Sequence, residues 1–293
     1  MPTTQPTVGE ALEHIAQRFA DADLHFGHGT DSAWDEAAYL VLSIAELPDD
    51  AAQLQQSLSE AQWQQIAALA QRRVAEKMPL AYLLQRCQYA GHDFRINPGV
   101  LIPRSPLGPW LLQHGVAWMP EAPRRILDLC TGSGCLGIIA AHAFPDAIVL
   151  MTDRDSTALK LAQENIRDHD LAASTVLLQM DGLSAFATSA QFDLVLCNPP
   201  YVNATDMAAL PVEYQQEPAQ ALAAGDDGLA VIAPILDRLP QLLSERGLFL
   251  GEVGLSAAAL QRRYPDLPFI WLDFEQGGEG VFALTADQLR HTA

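Results

Sequence analysis

The chain has 293 residues, 49% of them apolar, and a formal net charge of −19. That length predicts two domains, and no apolar run reaches the ~20 residues of a membrane-spanning helix. The charge argues against tight nucleic-acid binding, which Lys and Arg drive by releasing counterions; it suits a basic partner, although acidic surfaces more often serve solubility alone.

Met1-Pro2-Thr3-Thr4-Gln5-Pro6 lacks the basic and apolar regions of a signal peptide, so a cytoplasmic location without membrane association is expected. Cys87, Cys130, Cys135 and Cys197 show no C-x-x-C spacing and read as buried free thiols, with no disulfide and no metal site.

Thr7 to Glu10 has the pattern of a capping box, and Leu12, Ile15 and Phe19 follow on one helical face. After the loop Phe26-Gly27-His28-Gly29-Thr30-Asp31, Asp31 or Ser32 is expected to cap a second helix burying Trp34, Ala38, Val41 and Ile44. Ser59 to Gln62 forms another capping box before a helix with Trp63, Ile66, Ala70 and Val74 inward. Pro79 starts one last short helical turn. From Tyr89 to Ile96 the period changes towards two, with Gly91 and Asn97-Pro98-Gly99 as turns, which predicts a β-hairpin.

From Arg124 strand and helix alternate. Strands are predicted at 125–129, 147–151, 175–179, 194–197 and 248–250. Helices are predicted at 135–144, after Asp155 or Ser156 with Leu159, Ala162 and Ile166 inward, and around Val231, Ile235 and Leu239. The end, Phe269 to Phe274, Gly277-Gly278 and Val281 to Leu284, reads as an antiparallel hairpin. The expected architecture is α/β: a doubly wound, mostly parallel sheet with an antiparallel edge hairpin, preceded by a small helical bundle. The expected domains are a helical domain over 1–86, a hairpin linker over 87–106 and an α/β domain over 107–293.

Two strand exits carry the chemistry. The first runs from Asp128 through Cys130, Thr131, Gly132 and Ser133 to Gly134, between a strand and a helix. Glycines there let a ligand approach the backbone closely. Gly132 to Gly137 also fits G-x-G-x-x-G, but Asp128 would repel a pyrophosphate and suits a cationic sulfonium. Asp153, after the second strand, stands where a carboxylate accepts ribose hydroxyls, and Asp181, after the third, could accept from an adenine amino group. Each Asp alone fits a turn or a cap; three at successive strand ends beside a glycine turn point to a nucleoside ligand.

The second exit is Asn198-Pro199-Pro200-Tyr201, at the end of the strand that starts near Asp193. Neither proline can continue the ladder, so an amide, a rigid run of carbonyls and an aromatic ring stand where open α/β sheets bind ligands. Such an exit could grip a planar amide or amine; an Asx-Pro turn beside a core tyrosine is the bland alternative.

The order of these motifs resembles that of class I S-adenosylmethionine-dependent methyltransferases. With Asn198-Pro199-Pro200-Tyr201, the bundle, the hairpin and Ile102-Pro103-Arg104, the chain looks like the protein-(glutamine-N5) methyltransferases over nearly its whole length. The resemblance implies S-adenosylmethionine as cofactor, held by Asp128, Cys130, Thr131, Gly132, Ser133, Gly134, Asp153, Arg154, Asp181, Gly182 and Asn198. It implies catalysis by Asn198, Pro199, Pro200 and Tyr201, without a metal.

Pro103-Arg104-Ser105-Pro106-Leu107-Gly108 looks like the branch acting on the third protein of the large ribosomal subunit; the release-factor branch continues Pro-Arg-Pro-Glu-Thr-Glu. Phe26 to Thr30, Trp34 to Ala37, Leu210 to Tyr214 and Trp271 to Gly278 support the same branch, while Gln215-Gln216 departs from the basic residue expected there. The implied partner is a large-subunit ribosomal protein, with the enzyme a monomer or weak dimer. Release-factor methylation is the alternative, followed by adenine methylation, a nucleotide-binding oxidoreductase and a non-catalytic adaptor.

Overall fold

The structure, a computed structural model, describes residues 5–119, 121–183, 186–187, 191–274 and 278–291. The chain divides into two compact units: residues 1–87 with 211–216, and residues 88–210 with 217–293.

The first unit is helical: α1 (Val8–Ala20), α2 (Ala33–Ala45), α3 (Glu60–Glu76) and α4 (Leu80–Leu84). Both predicted capping boxes form, at Thr7/Glu10 and Ser59/Gln62, and Ser32 caps α2. Each cap satisfies backbone donors that the first turn leaves unpaired. The core includes Val8, Ile15, Phe19, Leu40, Val41, Trp63 and Ile66.

The phase of α2 differs from the expectation. Glu36, Ala37, Leu40, Val41 and Ala45 are buried, whereas Trp34 is 51% exposed and Ala38 and Ile44 are half-buried. Both sets have helical spacing and share Val41, so periodicity could not choose between them. A polar contact helps set the rotation: Glu36 turns inward to the guanidinium of Arg73, itself 1% exposed on α3. Arg73, rather than the half-buried Val74, closes the inner face of α3.

Arg73 also bonds Glu213 Oε1 at 3.2 Å and the His25 carbonyl at 2.9 Å, and the His25 N–H donates to Glu213 at 3.0 Å. The Tyr214 ring lies 4.4 Å from that of His28. Two segments nearly 190 residues apart thus meet around one buried cation.

Around the sequence boundary at Cys87 the chain forms a two-stranded hairpin, β1 (Arg86–Tyr89) and β2 (His92–Arg95). Its turn uses Ala90 and Gly91, both at positive φ. A helix follows that sequence patterning did not anticipate, α5 (Leu107–Trp118). Gly108, Pro109 and Gly115 lower its helix propensity, but Pro109 sits in the first turn, where no donor is needed.

The remaining elements are β3 (Arg125–Leu129), α6 (Cys135–Ala143), β4 (Ile148–Asp153), α7 (Ser156–Asp168), β5 (Thr175–Gln179), β6 (Phe192–Cys197), α8 (Ala204–Ala209), α9 (Ile232–Arg238), β7 (Leu243–Glu252), α10 (Ala257–Arg263), β8 (Ile270–Trp271), β9 (Val281–Thr285) and α11 (Ala286–His291). One sheet orders the strands β5-β4-β3-β6-β7-β9-β8. The pairs from β5 to β7 are parallel, and β9 is antiparallel to both β7 and β8.

The predicted α/β class and terminal hairpin therefore form, with the antiparallel strand one place in from the edge. Gly277 of the predicted hairpin turn, with Glu275 and Gln276, lies outside the described residues.

Three details differ from the periodicity reading. On α7 Leu161, not Leu159, joins Ala162 and Ile166 inside. The helix expected around Val231 and Leu239 covers only Ile232–Arg238, and β7 runs ten residues. Because β4 and β5 extend from one side of β3 and β6 and β7 from the other, the strand order reverses at β3, and a crevice opens beyond its carboxyl end.

Candidate active site

A cleft partly open to solvent lies at these strand ends. It is lined by eleven of the residues expected there: Asp128, Cys130, Thr131, Gly132, Ser133, Asp153, Arg154, Asp181, Gly182, Asn198 and Pro200. Gly134, Pro199 and Tyr201 do not line it. Gly134 instead begins α6 at φ +84°, where a side chain would strike Met151 and Ala162.

The loop between β3 and α6 is built by carboxylates. Asp128 is 1% exposed, and its Oδ2 accepts from the Thr131 hydroxyl and from the Gly137 N–H at 2.9 Å. The expected sulfonium partner is thus first a clamp on its own loop. Burial pushes its carboxyl up to about 7, against the lowering effect of those two donors.

Asp153 performs a parallel task one strand away. Its Oδ2 accepts from Gly132 N–H and its Oδ1 from Asp155 N–H, both at 2.9 Å. Burial raises its carboxyl above the ordinary range despite those bonds. The Thr131 N–H bonds the Thr152 carbonyl at 2.9 Å, so the loop is sewn to the end of β4.

Asn165 was missed by sequence reasoning. It is fully buried on α7, and its Nδ2 donates to the Ser133 carbonyl at 2.8 Å and the Arg95 carbonyl at 3.1 Å. Its Oδ1 accepts from the Arg95 N–H at 2.7 Å. One side chain thereby ties the glycine loop to β2. Its only sequence signal was an Asn on an otherwise apolar helix stripe.

At the second exit Asn198 is half-buried, and its side chain makes no hydrogen bond among the described residues. Pro199 is buried. Tyr201, expected against a flat substrate amide, is committed elsewhere: its hydroxyl donates to Glu252 Oε1 at 2.9 Å, and its ring packs against Gly254, where a Cβ would come within 2.7 Å. Ser256 Oγ donates to the Tyr201 carbonyl at 2.8 Å. Tyr201 therefore braces the loop.

Glu252, 6% exposed at the end of β7, was also missed, although an acid closing the apolar run Leu248–Gly251 is a visible signal. Its Oε2 accepts from the Ser105 hydroxyl at 2.6 Å. Ser105 Oγ in turn accepts from the Leu107 N–H at 3.2 Å, starting α5, and the Ser105 carbonyl accepts from the Tyr89 hydroxyl at 2.8 Å. Beside it, Arg104 forms an ion pair with Glu217 at 2.9 Å. Burial, then the neighbouring Cys130, pushes the Cys197 thiol well above its ordinary range, so it is no nucleophile at neutral pH.

Residues 111–244 match the methyltransferase small domain. The fold is shared with the hMettl16 catalytic domain in complex with MAT2A 3′UTR hairpin 1, at a TM-score of 0.52 and 17% identity over 85% of this chain and 89% of that one. Sheet order and glycine loop agree with that domain match, which points to the methyltransferase class.

Two relatives extend the likeness to full length. The ribosomal protein uL3 glutamine methyltransferase of Bordetella pertussis (strain Tohama I) is 39% identical over 97% of this chain and 96% of its own. That of Neisseria gonorrhoeae (strain FA 1090) is 39% identical over 97% and 95%. The chain belongs to the family of ribosomal protein uL3 glutamine methyltransferases. Among the described residues no helix is long and apolar enough to cross a membrane.

Proposed function

We propose that this enzyme transfers a methyl group from S-adenosylmethionine to the side-chain amide nitrogen of a glutamine in ribosomal protein uL3. The unpartnered amide of Asn198 at the cleft carries the chemical part of this reading; the full-length relatives carry the substrate.

The cleft suits such a cofactor. At Gly132 (φ +56°) and Gly182 (φ +55°) a side chain would meet nothing within 4 Å, and the buried Ser133 hydroxyl has no hydrogen-bond partner. When bound, S-adenosylmethionine supplies an electrophilic methyl group on a good leaving group. Asp153 would accept the ribose hydroxyls, Asp181 the adenine amino group, and Asp128, Cys130, Thr131, Gly132, Ser133, Arg154 and Gly182 would complete the walls.

A carboxamide nitrogen is a weak nucleophile because its lone pair is delocalised into the carbonyl. The protein's contribution is therefore orientation, which can supply ~7–11 kcal/mol when the geometry is right. Asn198 Oδ1 at the cleft accepts one N–H of the substrate amide, and the carbonyl of Pro199, whose residue is buried behind the lining, would accept the other, directing electron density onto the nitrogen. Pro200 stiffens the loop, and Tyr201 holds it through Glu252. The surplus proton leaves the amide after transfer.

Residues 1–86 would supply substrate recognition, 87–106 a linker and 107–293 the catalytic body. The acidic charge steers a basic ribosomal protein inward, an attraction that salt weakens. Ser105 favours this reading over release-factor methylation, because a proline there would have no hydroxyl for Glu252 or for the start of α5.

The test incubates the enzyme and labelled donor with purified uL3 and, separately, with release factors. Label in a single glutamine of uL3 supports the proposal; label confined to release factors overturns it.

A further inference from the structure

Three histidines outside the cleft converge from three elements. His92 opens β2, His142 lies in the last turn of α6, and His169 follows the end of α7. Their nearest donor atoms all lie within 4.8 Å of one another. His142 Nε2 stands 3.1 Å from His169 Nδ1, and the rings of His92 and His142 stack at 4.6 Å. All three are half-buried, and none lines the cleft.

We propose that His92, His142 and His169 form a binding site for one divalent transition-metal ion, of which Zn²⁺ is the natural occupant by coordination chemistry. Three imidazoles with a fourth position open to water are a common zinc arrangement, and zinc bonds imidazole nitrogen at ≈ 2.0–2.1 Å. Tetrahedral donors at that bond length stand roughly 3.3 Å apart. The His142–His169 separation is already within a few tenths of an ångström of that value. His92 has to close the remainder by turning off its stack.

His169 supplies the second observation. Its Nε2 lies 3.0 Å from the Asp93 carbonyl, which can only accept, so that nitrogen carries the proton. The Nδ1 lone pair is thereby left facing His142 Nε2 at 3.1 Å. Fixing the tautomer through the distal N–H is how proteins orient metal-binding imidazoles. Phe94 stacks on the same ring at 4.8 Å and holds its plane.

All donors are imidazole nitrogens, which suit zinc, copper and nickel better than magnesium or calcium. The bound ion would join β2 to the ends of α6 and α7. Asn165, which ties the glycine loop to β2, lies on that same α7. The site would thus be a structural clip, distinct from methyl transfer.

The full-length protein, stripped with chelator, is titrated with Co²⁺ as a spectroscopic probe and then with Zn²⁺ in competition. The expected result is one saturable equivalent with the strong visible bands of a tetrahedral ion, displaced by Zn²⁺, and a higher melting temperature in Zn²⁺. His142→Ala and His92→Ala should each weaken binding at least about tenfold. Both should still bind S-adenosylmethionine, which verifies their folding. A wild type without saturable binding, or variants that bind as it does, reduces the cluster to stacked, hydrogen-bonded imidazoles and overturns the proposal.

Discussion

Tyr201 donates its hydroxyl to Glu252 Oε1 at 2.9 Å, across 51 residues of chain. The bond fastens the loop that leaves β6 to the carboxyl end of β7, beside the Ser105 hydroxyl on the other carboxylate oxygen. The tyrosine of the Asn-Pro-Pro-Tyr exit thus acts through another residue. Tyr201→Phe should destabilise the protein by about 1–3 kcal/mol, the cost of leaving a buried acceptor unpaired. Denaturant unfolding measures this, and turnover should fall more than cofactor affinity.

Asn198 is the group whose loss should separate chemistry from binding. Asn198→Ala should lower turnover by at least about 10²-fold, as expected when a reacting group loses its alignment. Calorimetry should find S-adenosylmethionine affinity nearly unchanged. Near-normal turnover would remove Asn198 from the mechanism.

Asp153 has the opposite signature. Its oxygens already hold Gly132 and Asp155, so Asp153→Ala removes both the loop clamp and the ribose acceptor. Cofactor affinity should drop about 10–100-fold, the worth of one hydrogen bond to a charged group. Unchanged affinity by calorimetry would refute the assignment.

Asp128 makes stability depend on pH in a defined window. Its carboxyl is held up at about 7 in the fold, against an ordinary value of 3.8. Between these values the native chain keeps a proton that the unfolded chain has lost, so this contribution is complete below the lower value and is lost as pH rises to about 7. Asp128→Asn keeps an acceptor for Thr131 and Gly137 without the charge. Relative to wild type, the variant should gain stability from pH 5 to pH 8, as read by urea unfolding. A parallel pair of profiles would refute this.

Arg73 lies between Glu36 and Glu213, each no more than 4% exposed at the side chain. Removing the cation alone leaves two buried carboxylates without their partner, so Arg73→Ala should cost about 3–5 kcal/mol. Combining Arg73→Met with Glu36→Gln and Glu213→Gln should restore much of it, because an apolar replacement is often neutral once no charge remains. Thermal melting of the two variants provides the comparison.

Local chemistry made part of this protein legible from its sequence. Capping boxes at Thr7 and Ser59 bond within four residues, and the alternation of apolar strands with helices dictates a parallel sheet whatever lies around it. Glycines 132 and 134 free the backbone for positive φ and the prolines after Asn198 fix it, each without help from distant partners, so both strand exits could be located in advance. Eleven of the expected residues meet at one cleft because a doubly wound sheet gathers its strand ends there.

Tertiary structure decided the roles that depend on partners far along the chain. Periodicity allowed two phases for α2, and the buried Arg73 favoured one. Asp128 was expected to face a cation at the cleft, and the fold adds a second task, the clamp on Thr131 and Gly137. Tyr201 was expected against the substrate amide, and the fold gives its hydroxyl a partner in Glu252, 51 residues away. The sequence by itself determined the elements and the places where chemistry could stand, since those follow from backbone geometry and short-range hydrogen bonds. Only the folded chain decided which polar groups face the cleft and which brace it, because a buried donor or acceptor must find a partner, and that partner's distance in sequence leaves no local trace.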